Sequence, residues 1–349
     1  MEYIALGCMT GTSLDGIDCS LIKSDGISEV KEISNNFTPY SSAIKKELLK
    51  IMKCNYLDNL EIFKQLNNEY QSAINKFISK NNSKIDVIGI HGQTIFHDSS
   101  IKISIQLYDK KLKYNTQAPI ICNFRKNDIL NGGSGAPIIP IYHQIIANQL
   151  KIDSSIFINI GGVTNITLIE NNKITAGDSS YGNALINDIL SLRTNYDFDL
   201  NGNLSKSGKI INTLSDKILN DKYFKKKLPK SLDRNYFHQY LKDVKDDFPI
   251  EDVIYTLLSV IPESINRIID SKKKYKIILM GGGRKNLTLM KLFQNKFKDV
   301  SLIDDYDLDG DFIESQGMGL LAIRYLNKIH STYKSTTGIS KDIYLGEKC

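Results

Sequence analysis

The chain has 349 residues, which at about 150 residues per domain predicts roughly two domains. Its composition, 41% hydrophobic and 24% charged, is that of an ordinary globular protein. The net charge of +6 is spread along the chain without a long basic run, which argues against a nucleic-acid surface. Five scattered cysteines without a Cys-x-x-Cys pair argue against a disulfide framework and a zinc site, and they favour a reducing cytoplasm.

The hydropathy pattern argues against membrane and secreted proteins. No apolar run approaches the ~18 residues of a membrane span. The N-terminal residues lack the basic region of a signal peptide and enter an apolar run at once. We therefore expect a cytoplasmic protein with no membrane partner.

The first half of the chain predicts strands around one long helix. Residues 3–9 and 17–22 are β-prone runs, and the polar residues 10–16 between them have the composition of a turn. Residues 60–78 predict a helix, because apolar side chains recur three or four positions apart. Residues 85–90 predict a short buried strand.

The second half repeats the pattern after a Gly-rich, hinge-like stretch at residues 131–137. Residues 155–160 and 166–170 predict strands that flank the turn 161–165, and residues 171–173 predict a hairpin turn. The remaining elements are a strand at residues 275–280 and helices at residues 183–193, 207–220, 251–270, 286–298 and 312–328, with Pro262 expected to kink or split the third.

A strand-turn-strand unit therefore recurs at a separation of about half the chain. This recurrence predicts an α/β protein with two lobes that face each other across a cleft, because binding sites in such folds lie where strands end in Gly-rich turns. We expect one lobe to comprise residues 1–135 with 329–349, and the other to comprise residues 136–328.

Residues 11–16 could hold phosphate. This Gly-Thr-Ser-Leu-Asp-Gly turn offers hydroxyls and backbone amides, and consecutive turn amides form anion-binding concavities. Asp15 or Asp18 could hold Mg²⁺, which prefers a few hard oxygen ligands and retains several waters. A β-hairpin with a polar turn explains the same residues about equally well.

Two further turns are candidates of the same kind, residues 161–165 and 281–286. The second follows a strand and is expected to open a helix, where unpaired N–H groups favour anions. Neither matches the dinucleotide or P-loop pattern, so those folds are disfavoured. A purely structural role as a turn explains each segment taken alone. Three such turns at strand ends together favour a binding role.

Two carboxylates stand out near these turns. Asp178 lies in a polar segment that precedes a predicted helix, where it could cap that helix or act as a base at the entrance of the site. Glu314 lies early in the last helix, where its charge suits the positive end of the helix dipole.

These motifs together resemble the anhydro-N-acetylmuramic acid kinases, a family with the actin-like, ribonuclease H-like ATPase fold, and the resemblance runs nearly end to end. Residues 9–18, MTGTSLDGID, match that family's ATP-phosphate turn almost letter for letter. Further matches are residues 91–97, Phe124-Arg125, residues 132–137, residues 159–165, Pro229-Lys230-Ser231, residues 281–286 and residues 344–346.

The resemblance implies a role for each matching residue. Asp178 falls on the family's catalytic base, and Asp15 and Asp18 fall where Mg²⁺ is held, directly or through water. The nucleotide-binding residues implied are Gly11, Thr12, Ser13, Leu14, Asp15, Gly16, Ile17, Asp18, Gly161, Gly162, Gly281, Gly282, Gly283 and Asn286. The substrate-binding residues implied are His91, Gln93, Arg125, Ser134, Asn183 and Glu314.

The implied activity is an ATP- and Mg²⁺-dependent kinase of cell-wall sugar recycling. It would open 1,6-anhydro-N-acetylmuramic acid with water and phosphorylate O6, giving N-acetylmuramic acid 6-phosphate. The partners are therefore a sugar and ATP, while the sequence leaves the oligomeric state, including a homodimer, open. We expect His91 and His97 to be neutral and satisfied by neighbouring groups rather than catalytic.

The chain departs from the family pattern in three places. Residues 179–181 read Ser-Ser-Tyr where the family has Thr-Gly-Pro, residues 315–319 differ after Glu314, and Asn123 replaces an aspartate. Two other interpretations therefore stay open. One is a kinase of the same superfamily that acts on another sugar or a carboxylate, and the other is a nucleotide-binding relative without catalysis.

Overall fold

The computed structural model describes residues 1–11, 13–54, 60–99 and 101–349. The strands in chain order are Tyr3–Met9 (β1), Gly16–Ser24 (β2), Val30–Pro39 (β3), Val87–Ile90 (β4), Gln93–Asp98 (β5), Ile103–Leu107 (β6), Ile120–Cys122 (β7), Ser154–Ile160 (β8), Val163–Glu170 (β9), Lys173–Tyr181 (β10), Lys276–Met280 (β11), Val300–Leu302 (β12) and Glu347–Lys348 (β13).

The helices pack on the sheets that these strands form. They are Ser42–Cys54 (α1), Leu60–Lys80 (α2), Phe124–Leu130 (α3), Pro140–Gln149 (α4), Asn183–Arg193 (α5), Asn212–Leu219 (α6), Ile250–Asn266 (α7), Leu287–Lys296 (α8), Ile313–Leu326 (α9) and Lys334–Thr337 (α10). In the described part of the chain, no helix has the length and apolarity that crossing a bilayer requires.

The chain divides into two compact units, Met1–Lys151 with Phe312–Cys349 and Ile152–Asp311. The main sheet of the first unit has the order β13-β7-β4-β1-β2-β3, and that of the second has the order β10-β9-β8-β11-β12. In each unit, three antiparallel strands are followed by parallel additions beside the first strand. This repeated topology confirms the predicted two-lobed α/β fold class.

Glycines let α9 approach the centre of the first sheet. A Cβ on Gly7 of β1 would lie 1.9 Å from the Ser315 carbonyl oxygen, and one on Gly89 of β4 would lie 2.2 Å from the Met318 carbonyl oxygen. Only glycine permits a backbone approach this close. The packing explains why α9 belongs to the first unit, so that this boundary falls at 311/312 rather than at the expected 328/329; the other boundary falls at 151/152 rather than at 135/136.

Several predicted bounds shift because tertiary contacts compete with local propensity. The helix expected over residues 207–220 starts only at Asn212, since the backbone N–H groups of Lys209 and Ile211 donate to side chains of α7. Helix α7 runs without a break through Pro262 and ends at Asn266, so the expected split does not occur.

Strand pairing also brings two distant cysteines together. Cys122 and Cys349 form a disulfide across a sequence separation of 227 residues, at the place where β13 pairs with β7. This bridge differs from the expectation of unpaired cysteines, because spacing along the sequence does not reveal a contact made by the chain end. Cys8 and Cys19 are free and buried on neighbouring strands.

Candidate active site

The turn between β1 and β2 is anchored by a leucine. Leu14 has a positive φ of 59° and is fully buried, so a non-glycine residue holds a sparsely populated backbone conformation. Its N–H donates to the Gly11 carbonyl at 3.3 Å, and the Tyr40 N–H donates to the Asp15 carbonyl at 3.0 Å. Such local strain persists where surrounding packing imposes it, as it does at many binding turns. Thr12 lies outside the described residues.

Gln93 joins this turn to the start of β5. Its side-chain amide donates to the Gly11 carbonyl at 3.0 Å and to the Thr94 carbonyl at 3.0 Å. Its Oε1 accepts a hydrogen bond from the Tyr40 hydroxyl at 3.1 Å. The structure therefore places this predicted substrate residue directly against the predicted phosphate turn.

Asp15 and Asp18 differ as candidate Mg²⁺ ligands. The Asp15 carboxylate is largely exposed and pairs with Lys45 Nζ at 3.2 Å, whereas Asp18 is half-buried in β2 opposite Met9. Among the described residues, no three His, Cys, Asp or Glu side chains group as a metal site. One or two carboxylates beside a phosphate turn fit Mg²⁺, which in such sites is also bound by waters and substrate phosphates.

His91 is neutral, and its tautomer is fixed. Its Nε2 accepts from Arg125 Nε at 2.8 Å, so the proton lies on Nδ1, which donates to the Gly92 carbonyl at 2.8 Å. Burial and the Arg125 charge lower the pKa of His91 to about 3. Burial, with the same arginine, also lowers the pKa of His97 to about 3. Both histidines are therefore neutral at physiological pH, as expected from the sequence.

Arg125 and Asp128 on α3 hold the Gly-rich stretch. Arg125 Nη1 donates to the Gly135 carbonyl at 3.0 Å, and the Gly135 N–H donates to Asp128 Oδ2 at 2.7 Å. Ser134 points its hydroxyl at the Ala136 carbonyl, 2.6 Å away. Asp128 is fully buried, and sequence reasoning missed it. Its only signal was its spacing of three residues from Arg125, which places both on one helix face.

The first glycine turn of the second unit is held by main-chain hydrogen bonds. The N–H groups of Asn183 and Gly182 donate to the carbonyls of Gly161 and Gly162 at 2.8 and 3.0 Å. The Asn183 side chain donates to the Ile160 carbonyl at 3.3 Å. The start of α5 is thus joined to the turn between β8 and β9, as two predicted site segments should be.

The second glycine turn of this unit packs against the first. A Cβ on Gly281 would lie 2.3 Å from Asn159 Oδ1, and one on Gly283 would lie 2.2 Å from Ile160 Cγ2. Arg284 braces the turn by donating to the Gly281 carbonyl at 3.2 Å. Two predicted nucleotide segments therefore meet within one unit, beside the predicted substrate residue Asn183.

The helix expected to open at these glycines begins later. Residues Gly282–Lys285 form a three-ten turn, and α8 starts at Leu287. Asn286 is its N-cap, with its side chain accepting from the Leu289 N–H at 3.0 Å. Asn286 therefore has a local structural role, and the glycines lie before the helix rather than at its N-terminus.

Two glycines in these turns, Gly161 and Gly282, have room for a Cβ, whereas a Cβ on Gly11 would be tighter. A Cβ on Gly161 would come no closer than 3.7 Å to a neighbour, and one on Gly282 no closer than 4.0 Å. On Gly11 the nearest atom is the hydroxyl of Ser13 at 3.3 Å. None of the three has a positive φ. Neither packing nor backbone conformation requires glycine at positions 161 and 282.

Asp178 lies inside β10 rather than in a link, at a bulge before Ser180. The side chain is 8% exposed. Its Oδ2 accepts from the Leu232 N–H at 2.7 Å, and its backbone N–H donates to the Lys230 carbonyl at 2.8 Å. β-Bulges commonly redirect a side chain beside active sites. The predicted base is thus a buried carboxylate held by the main chain.

Glu314 is the second residue of α9 and half-buried, as the sequence predicted for the start of this helix. The altered residues after it are explained by packing. A Cβ on Gly317 would lie 2.6 Å from Ile139 Cγ2, and Gly319 lies against Gly7 of β1. These glycines face the core of the first unit.

The other two departures also have local partners. Tyr181 is 1% exposed and its hydroxyl donates to the Leu257 carbonyl at 2.9 Å, so it fills the core of the second unit. Asn123 donates to Glu347 Oε1 at 2.7 Å. An aspartate at position 123 would place a second negative charge beside Glu347, which the amide avoids.

Two α/β units of one topology, with glycine turns at the strand ends, define the class of two-lobed α/β proteins. Residues 2–349 match the family model described as anhydro-N-acetylmuramic acid kinase. A protein of that name from Pelagibacter ubique is 36% identical, over 97% of this chain and 96% of its own length. Another, from Zymomonas mobilis, is 33% identical over 96% of both chains. The chain belongs to the anhydro-N-acetylmuramic acid kinase family.

Proposed function

We propose that this chain catalyses the reaction of its family with Asp178 as the general base. The substrate is 1,6-anhydro-N-acetylmuramic acid, the phosphoryl donor is ATP and the product is N-acetylmuramic acid 6-phosphate. The observation that carries the proposal is the buried Asp178 carboxylate, which main-chain groups hold in the sheet that bears the Gly161 turn.

The chemistry joins hydrolysis to phosphoryl transfer. Asp178 takes a proton from water as the water oxygen bonds to C1 and the bond from C1 to O6 breaks. O6 then attacks the γ-phosphorus of ATP, and the bond between that phosphorus and the leaving oxygen of ADP breaks. General-base catalysis of this kind contributes about 10²–10⁴-fold, or roughly 3–5 kcal/mol of the barrier.

The glycine turns supply the phosphate cradle in this proposal. In the second unit a Cβ on Gly161 or Gly282 would make only ordinary contacts, at 3.7 and 4.0 Å, so phosphate oxygens can approach the backbone N–H groups there. Asp15, which pairs with Lys45, and Asp18 are both kept as candidate Mg²⁺ ligands. Bound Mg²⁺ neutralises charge on the triphosphate, and positioning provides most of the remaining acceleration.

The sugar-binding residues stay proposals, and their geometry suggests different roles. Neutral His91 and charged Arg125 form one unit with Gly135, so this group presents a fixed surface to a ligand. Gln93, the first residue of β5, donates to the Gly11 carbonyl and so links β5 to the phosphate turn. Ser134, Asn183 and Glu314 complete the proposed set.

The test replaces Asp178 by Asn, which keeps the size of the side chain and removes its basicity. We expect turnover to be abolished while ATP binding, measured by calorimetry, is retained. Asp299→Asn is the matched control, since Asp299 is an exposed acid of the same unit that pairs with Lys276. Turnover of Asp178→Asn close to that of the control would refute the base.

Isotope labelling tests the coupling of the two steps. The wild-type enzyme is incubated with the anhydro sugar, ATP and Mg²⁺ in ¹⁸O-water, and the product is analysed by mass spectrometry. We expect one ¹⁸O at C1 together with a phosphate on O6. Phosphate on a sugar without the label would contradict the proposed attack of water.

A further inference from the structure

The segment from Lys230 to Leu232 is hydrogen-bonded to both the backbone and the side chain of the predicted base, Asp178. Asp178 donates its N–H to the Lys230 carbonyl and accepts the Leu232 N–H on Oδ2. A Cβ on Gly177 would lie only 2.6 Å from the same Lys230 carbonyl oxygen. The position of the Asp178 carboxylate is therefore set by where this segment lies.

The Lys230 side chain in turn fastens the segment to Tyr223. It is 8% exposed, unusually low for a lysine, and its Nζ donates to the Tyr223 carbonyl at 3.2 Å. The same ammonium lies 4.2 Å from the centroid of the Tyr223 ring, in cation–π range. The Tyr223 hydroxyl donates back to the Asp178 carbonyl at 2.8 Å. The three residues thus form a closed set of contacts.

The ammonium is also an electrostatic neighbour of Asp178. Burial lowers the pKa of Lys230 to about 8, the Asp178 carboxylate opposes this shift, and the Lys226 charge adds to it. Burial and the Asp178 charge raise the pKa of Tyr223, which therefore stays a neutral hydrogen-bond donor. At neutral pH most Lys230 side chains are therefore charged.

We propose that Lys230 is a positioning residue, whose buried ammonium keeps the Asp178 carboxylate in place and ionised. The proposal rests on the proposed function, because it assigns Lys230 a role through the base. A neighbouring opposite charge favours the ionised form of a carboxyl group, and Lys230 and Asp178 interact electrostatically.

The test measures kcat/KM against pH for variants that separate charge from hydrogen bonding. Lys230→Gln retains a donor for the Tyr223 carbonyl and loses the charge, Lys230→Met loses both, and Lys230→Arg keeps the charge. Lys226→Met is the matched control, since its exposed ammonium lies 5.7 Å from the same Tyr223 ring. Thermal unfolding of each variant establishes that it is folded.

We expect the acid limb of the profile to move up by about one pH unit or more in Lys230→Gln and Lys230→Met. Well below the limb, this shift lowers kcat/KM about tenfold per unit. Lys230→Arg should restore the wild-type limb, and Lys226→Met should leave it unmoved. If Lys230→Met does not fold, the comparison of Gln with Arg at position 230 decides the matter.

These experiments distinguish failure of the role of Lys230 from failure of the proposed function. An unmoved acid limb in folded Lys230→Gln, alongside inactive Asp178→Asn, overturns the role of Lys230 and leaves the base in place. Activity of Asp178→Asn close to wild type overturns the proposed function itself, and the role of Lys230 with it.

Discussion

The two hairpin turns occupy equivalent places in the repeated sheets, yet they differ in how far side chains or the main chain support them. The turn after β1 is long, and side chains secure it: Leu14 is buried beneath it, and the amide of Gln93 reaches the Gly11 carbonyl. The turn after β8 is short, and main-chain N–H groups of Gly182 and Asn183 secure it. A repeated fold therefore preserves the place of a turn without preserving its support.

This difference has a consequence for mutation. A turn held by side chains is weakened when a side chain is shortened, because the hydrogen bond or the packing is lost. A turn held by the main chain is weakened when a side chain is added, because the backbones can no longer approach. The two units also differ in their histidines, which gives the largest effect that we expect.

The first unit should be the more sensitive to acid. Burial lowers the pKa of His91, His97 and His143 to about 3, and all three lie in this unit. Since the unfolded chain binds protons below pH 6.5 and the folded chain does not, stability falls as pH drops from about 6.5 towards 3. The expected loss is about 1–2 kcal/mol per histidine by pH 5.

Urea unfolding at pH 8 and pH 5 measures this loss. Burial lowers the pKa of His143. In His143→Gln the difference between the free energies of unfolding at pH 8 and pH 5 should therefore be smaller than in wild type by the contribution of one histidine. Replacement of His238, which pairs with Asp188 in the second unit, serves as the comparison. Equal losses in wild type and His143→Gln would contradict the assignment.

The next effect concerns the turn held by the main chain. Gly182→Ala places a Cβ 2.3 Å from the Gly161 carbonyl oxygen, where backbone rather than a flexible side chain must yield. We expect a loss of about 1–3 kcal/mol in the free energy of unfolding, the usual cost of overpacking, together with weaker ATP binding. Denaturant unfolding and calorimetry measure the two quantities.

Gly161→Ala is the informative control for that variant. Its Cβ has room in the fold, so the stability should stay within about 0.5 kcal/mol of wild type. If phosphate approaches this backbone, ATP affinity should still fall about tenfold, or ~1.4 kcal/mol. Unchanged ATP affinity in folded Gly161→Ala would remove the turn from the proposed nucleotide site.

The smallest effect concerns the turn held by side chains. Gln93→Ala removes the hydrogen bond to the Gly11 carbonyl and that from the Tyr40 hydroxyl, which should cost about 1–2 kcal/mol and weaken ATP binding several-fold. Gln149→Ala is the control, because Gln149 makes similar bonds to the backbone of Val30 away from the turn. Equal effects of both variants on ATP binding would show that Gln93 has no particular role at the turn.

The sequence alone was sufficient to predict the repeated strand-turn-strand unit and the bounds of several helices and strands. Helix α5, residues Asn183–Arg193, has the predicted bounds, because its apolar periodicity and the glycine before it are local signals. The strands around both turns were likewise predicted within a few residues. Family motifs located the glycine turns, which the structure brings together within the second unit.

Other features depend on contacts between distant segments. Asp178 has the sequence context of a loop, yet β10 extends through it because it pairs with β9. Asp128 and Lys230 gave no sign of their partners, since Thr332 and Tyr223 are reached only after folding. The bridge from Cys122 to Cys349 is of the same kind. Local periodicity carries no information on such pairs.

The glycines beneath α9 fix the distance between this helix and the strands on which it packs. At Gly7 of β1 and Gly89 of β4 the strand backbone lies against the backbone of α9, so no side chain at these two positions can absorb a displacement. The interval between the hairpin turn at one end of β1 and Glu314 on α9 is therefore a fixed length. Redesign of this enzyme for larger ligands would have to change loops around that interval, since the interval itself has nothing to compress.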